Sequence, residues 1–159
     1  MVLRMESLSP PINADSWLRS PPITSFKPGS VYVFEFWATW CMPCIAAMSH
    51  LVQLQEKYKD CGSQVVGVAA RERARTADDA RTKLTAWLTK NLPHLNDPIA
   101  FDYTGEMNKL WLDPSFPYES PTSFAVDRDG YIASMGHAMQ LDDAFPKVLD
   151  GNWRASDGI

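Results

Sequence analysis

Cys41 and Cys44 stand two residues apart in WATWCMPC, a spacing that lets two thiols close a disulfide across the first turn of a helix. What such a pair does depends on where it sits. Unpaired N–H groups and partial positive charge at a helix N-terminus favour thiolate over thiol. Cys41, ahead of the helix, is then the solvent-facing nucleophile, and Cys44, one turn in, the shielded resolving thiol. Pro43 fits the first turn, where a missing N–H costs nothing. The same spacing also serves zinc, or two inert thiols. A zinc site needs four ligands, however, and no second CxxC or HxxxH completes one. Six positions before Cys41 an acid, Glu35, interrupts the apolar run VYVFEFW. Either it points to water from an exposed strand, or it is buried where desolvation raises its pKa.

Positioning these residues takes a strand, a turn and a helix, and the flanking sequence offers all three. KPGS at 27–30 is a turn signal, and Val31 to Trp37, β-branched and aromatic on both faces, reads as a central strand covered on both sides. After Pro43 the period changes: Cys44, Ala47, Met48, Leu51, Leu54 and Tyr58 follow helical spacing up to Cys61 and Gly62. Gln64 to Ala70 is a second buried strand. Thr76 then caps a helix whose apolar stripe is Ala80, Leu84, Trp87 and Leu88. Strand, helix, strand, helix implies parallel pairing. Ile99 to Gly105 is a short strand and turn, and Glu106 to Leu112 a short helix. Thr122 to Val126 and Tyr131 to Met135, joined by Asp-Arg-Asp-Gly, form an antiparallel hairpin, and Leu141 to Leu149 is a last helix ending at Gly151.

The 159 residues, 45% of them hydrophobic, suit one domain with a core of its own. Residues 27–150 form that domain. Residues 1–26, rich in proline, form an extended segment that wraps it, and 151–159 a tail. A net charge of −4 is the wrong sign for an electrostatic nucleic-acid binder or a protein held on anionic lipid. Three cysteines are too few and too odd for a disulfide-built secreted scaffold. With no signal-peptide h-region at the start, a cytoplasmic, reducing compartment is expected, or the periplasm if an export signal or anchor has been removed.

FWATWCMPC followed by a helix, then SPTSFAVDRDG eighty positions after Cys41, resembles the thioredoxin superfamily, and more narrowly its TlpA-like thiol:disulfide oxidoreductases. The likeness covers about residues 27–150. It implies an α/β thioredoxin-like fold with a central mixed sheet, helices on both faces and a cis-proline loop beside the CxxC. Arg71 to Pro98 would be an insertion between the two motifs. The resemblance makes Glu35 a buried proton acceptor for Cys44, Pro121 the cis-proline with Ser120 before it and Thr122 after it, and Trp40 the tryptophan at the active-site rim. Met42 stands where the family commonly has glycine, and Ala47 where several members carry a second glutamate, leaving acid–base work to Glu35 alone. Substrate contact is thus expected at Trp40, Met42, Pro43, Ser120 and Pro121.

The resemblance implies a monomeric thiol:disulfide oxidoreductase that reduces protein or small-molecule disulfides, working with an external thiol reductant and no bound cofactor. The peroxiredoxin branch fits less well, because its PxxxTxxC context is absent before Cys41. A thioredoxin-like binding or chaperone module, or a metal-handling one using a histidine, remains the alternative. Cys61 reads as a passive thiol, and Trp37 as structural. His50, His94 and His137 lack ligand spacing, and Arg71, Arg73, Arg75 and Arg81, interleaved with acids, read as a solvated helix face.

Overall fold

The computed structural model describes residues 6–19, 21–23, 25–70, 72–95, 97–115, 123–137 and 141–151. Six strands form one mixed sheet: β1 (Ser16–Leu18), β2 (Val31–Trp37), β3 (Ser63–Ala69), β4 (Ile99–Phe101), β5 (Ser123–Val126) and β6 (Ile132–Gly136), in the order β1-β4-β3-β2-β5-β6. The pairs β2–β3 and β3–β4 are parallel, whereas β1–β4, β2–β5 and β5–β6 are antiparallel. VYVFEFW lies in the interior of the sheet with all seven residues buried, as a strand apolar on both faces requires.

Alternation along β2 divides the core in two. Val31, Val33 and Trp37 face the helices α1 (Met42–Tyr58), α2 (Ala77–Asn91) and α3 (Leu141–Leu149), packing with Leu51, Met48, Leu84 and Phe145. Tyr32, Phe34 and Phe36 face the other way. There the cover is a helical stretch at 106–115, contributing Met107 and Trp111, together with Ile12, Ala14, Trp17, Ile23 and Phe26 from the N-terminal segment. Both faces are covered, as the apolar strand demanded, but the three α-helices share one of them.

Local signals account for the element ends. Thr76, extended at φ −132°, accepts the Asp79 N–H at 3.1 Å, and Asp78 and Asp79 complement the α2 dipole. Beyond α1 a 3-10 turn, Lys59–Cys61, closes at Gly62, whose φ of 75° suits glycine. In the β5–β6 hairpin the Asp127 carboxylate accepts the N–H groups of Asp129 and Tyr131 at 2.9 and 3.0 Å. The short helix expected from Glu106 is present, with Asn108–Leu112 wound as a π-helix.

The N-terminal segment is more than an extended wrapping. Ser16–Leu18 pairs with β4 as an edge strand, while Glu6 N–H donates to the Ile132 carbonyl and Ile132 N–H to that of Ser7, each at 2.7 Å. One stretch therefore borders the sheet at both ends. Arg19 then fastens it to the end of α2 by donating to the Leu92 and Leu95 carbonyls at 3.1 and 2.9 Å.

Candidate active site

At the C-terminal end of β2 the chain turns sharply, Cys41 N–H donating to the Ala38 carbonyl at 3.1 Å. The Cys41 carbonyl in turn accepts the Ile45 N–H at 3.0 Å, so Cys41 holds the cap position of α1. Met42 and Pro43 occupy the first turn, which contains no acidic residue to offset its positive end. Cys41 and Cys44 are joined by a disulfide, their Cα atoms 5.3 Å apart. Both are half-buried, so bulk exposure does not separate the two thiols as the sequence suggested. Packing does: Cys44 lies against the cluster of Trp37, Met48 and Leu84, while Cys41 sits at the open helix end.

Glu35 is fully buried, which excludes the water-facing alternative. Its position on β2 points it to the same side as Val33 and Trp37, the side α1 covers. In the sheet it lies between Gly67 of β3 and Ser123 of β5, and the Ser123 hydroxyl donates to its Oε2. Gly67 leaves the space that Met48 fills. A Cβ there would come within 2.1 Å of Met48 Cε and 3.0 Å of both Trp37 Nε1 and Ile99 Cδ1. The missing side chain lets α1 settle closely on β2 and β3, above Glu35.

The rim is built by two adjacent pairs. Glu72, just beyond β3, accepts the Thr39 N–H with one carboxylate oxygen and the Thr39 hydroxyl with the other, both at 2.7 Å. Hydrogen bonds to a charged group contribute about 1.5–3 kcal/mol each when shielded, and less where water competes. Next to it, the Arg73 guanidinium carbon sits 4.0 Å from the Trp40 ring centroid. Such stacking contributes about 0.5–1 kcal/mol at an exposed site. Trp40 remains 45% exposed and Met42 72%, leaving two large apolar side chains in solvent on either side of Cys41.

The expected site residues Cys41, Met42, Pro43 and Cys44 thus come together at one helix end, with Trp40 beside them and Glu35 beneath α1. Ser120, Pro121 and Thr122 lie outside the described residues, as does Arg71. Arg73 and Arg75 correct one expectation: they precede α2 rather than lie on it, and Arg73 is stacked on the rim instead of forming part of a solvated helix face. Glu72 and Ser123 were missed. Nothing local marks either, because their partners lie 33 and 88 positions away. Among the described residues no three His, Cys, Asp or Glu side chains form a metal-holding group, and no helix is long and apolar enough to cross a membrane.

A dithiol or disulfide at a helix start, backed by a mixed sheet, defines a thioredoxin-like redox centre, and comparison with known proteins agrees. The chain belongs to the Redoxin family, whose model matches residues 23–147, and to its thioredoxin-like thiol:disulfide oxidoreductases. It is 45% identical to Protein FixW of Rhizobium leguminosarum over 154 residues, covering 97% of this chain and 70% of FixW. Against the thiol-disulfide oxidoreductase ResA of Bacillus thuringiensis subsp. konkukian identity is 32% over 113 residues, 69% of this chain and 56% of ResA. This chain thus spans little more than half the length of ResA. The solution structure of a thioredoxin-like protein in the oxidized form superposes with a TM-score of 0.71 at 19% identity, covering 95% of this chain and 99% of that one, and so shares the fold.

Proposed function

We propose that the protein reduces protein disulfides through a dithiol/disulfide cycle. The observation that carries this is the Cys41–Cys44 bond at the cap of α1, which puts one sulfur at the positive helix end and its partner within bonding reach. In the reduced form the Cys41 thiolate attacks a substrate disulfide, forming a mixed disulfide and releasing one substrate thiolate. Cys44 then gives up its proton with help from Glu35 and attacks Cys41 Sγ. This expels the second substrate thiolate and leaves the Cys41–Cys44 disulfide. Two electrons have passed to the substrate, and an external dithiol reductant restores them. Ser120 and Pro121, by the family resemblance, contribute substrate contacts in this scheme. The odd cysteine count favours a reducing, cytoplasmic setting.

Trapping tests the order of the thiols. After exposure to oxidised protein, Cys44→Ser should carry substrate on Cys41 as adducts that dissolve with dithiothreitol, and Cys41→Ser should carry almost none. Equal trapping by the two variants, or trapping mainly through Cys44, overturns the assignment. Wild-type protein unable to catalyse insulin reduction overturns the activity itself.

A further inference from the structure

We infer that Arg73, stacked on Trp40, selects substrate disulfides that carry a carboxylate side chain close to the cysteine. This deepens the disulfide-reductase reading and rests on it. Trp40 is the residue immediately before Cys41, so its Cα lies about 3.8 Å from that of the nucleophile. A guanidinium held 4.0 Å from the Trp40 ring centre therefore flanks the residue that adjoins the nucleophile.

Three observations support the assignment. Arg73 is exposed, and among the described residues it makes no ion pair, so its N–H fork is available to an incoming acceptor. Glu72, the acid that could have neutralised it, has both carboxylate oxygens committed to Thr39 at 2.7 Å. That grip also fixes the chain on each side of the contact, since Glu72 adjoins Arg73 and Thr39 adjoins Trp40. Stacking orders the guanidinium in advance, so less freedom is lost when a carboxylate binds its edge. Trp40 and Met42 supply apolar contact around the charge, at 45% and 72% exposure. The fitting partner is an extended peptide with an acidic residue next to its disulfide cysteine. Because the chain as a whole carries −4, its long-range field opposes acidic partners, and the preference is a short-range one.

The test compares two disulfide-linked peptides, identical except for Asp or Lys beside the cysteine, by kcat/KM at low and high salt. Wild type should reduce the Asp peptide about two- to fivefold faster than the Lys peptide, with the ratio falling toward one as salt rises. Arg73→Gln should bring the ratio to one or below. Arg73→Lys should retain part of it, keeping the charge but losing the planar fork. Glu72→Ala, which releases the rim, should lower it as well. Each ratio is taken within one enzyme, so a general loss of activity does not mimic the effect. Equal rates for both peptides with wild type, or a preference that survives Arg73→Gln, overturns the inference and leaves the reductase reading standing. Failure of wild type to reduce either peptide removes that reading, and the inference with it.

Discussion

Ser123 stands opposite Glu35 across the antiparallel β2–β5 pair, and its hydroxyl donates to the Glu35 carboxylate. A buried acid is thereby held by a neighbouring strand on the side of the sheet that faces α1. This geometry fits the role proposed for Glu35, an oriented proton acceptor for Cys44.

Replacing the acid by its amide should separate that duty from its packing. Glu35→Gln keeps the shape and should fold with an unchanged transition temperature, yet resolve the mixed disulfide about 10²-fold more slowly. Ser123→Ala, which keeps the acid and loses its orienting donor, should show a smaller loss. Rapid-mixing measurement of the resolving step reads both, and a Glu35→Gln rate equal to wild type across the neutral pH range rules the role out.

Cys61 stands apart from the redox pair in this fold. It lies beyond the far end of the 17-residue α1, a helix about 25 Å long, whereas a disulfide needs Cα atoms within about 7 Å. Cys61→Ser should keep nearly full insulin reduction. The carbonyl of residue 61, which accepts from Arg128 Nη2 at 2.7 Å, survives the change, so stability should hold as well. Loss of most activity would show the thiol to be a redox partner after all.

Gly67→Ala places a methyl group against Met48, Trp37 and Ile99 in a core with no slack. Overpacking of this kind costs about 1–3 kcal/mol. Met48→Ala alone should cost about 2–5 kcal/mol through the cavity it leaves. In the double variant the new methyl occupies part of that cavity, so urea unfolding should show less destabilisation than the two singles added together. Strict additivity would mean that Met48 is not what fills the space above Gly67.

Burial raises the Asp97 pKa above its ordinary 3.8, and the charge of Glu56 raises it further. The folded state therefore holds the Asp97 proton more tightly than the unfolded chain does. Its contribution is most favourable below the unfolded value and falls as pH rises through the folded one, leaving a net cost at neutral pH. Asp97→Asn should raise the transition temperature by about 1–2 °C at neutral pH, a small effect because the site is partly solvated, and should give no gain near pH 3. An equal gain at both pH values would point to packing rather than charge.

What could be read from the sequence was what short-range chemistry announces. VYVFEFW and QVVGVAA declare buried strands by being apolar on both faces, Thr76 declares a cap, and the Asp127–Gly130 turn declares a hairpin. Cys41 and Cys44 carry their own spacing. By contrast β1 is three residues, SWL, with no alternation to betray it, and its strand identity comes entirely from β4. The grip of Glu72 on Thr39 was hidden for a related reason: ERAR looks like any charged surface stretch until the fold brings it to the helix end. Half-burial of both cysteines was equally illegible, because it depends on how closely α1 sits on the sheet, which Gly67 governs from 23 positions beyond Cys44.

The N-terminal segment, bonded at residues 6–9 to the β6 end of the sheet and at 16–18 to β4, carries a consequence for solubility. A sheet usually guards its two margins separately; here a single stretch of chain guards both. Its strand partners lie more than eighty positions away in sequence, and besides the two edges it is secured by the apolar side chains of Ile12, Trp17 and Phe26 on the Phe34 and Trp111 face of the core. Undocking it would bare the outer rim of β4 and the start of β6 together, and with them the Phe34 and Trp111 face of the core. Release of this one strap would therefore make two templating edges available at once, a route to self-association that does not require global unfolding.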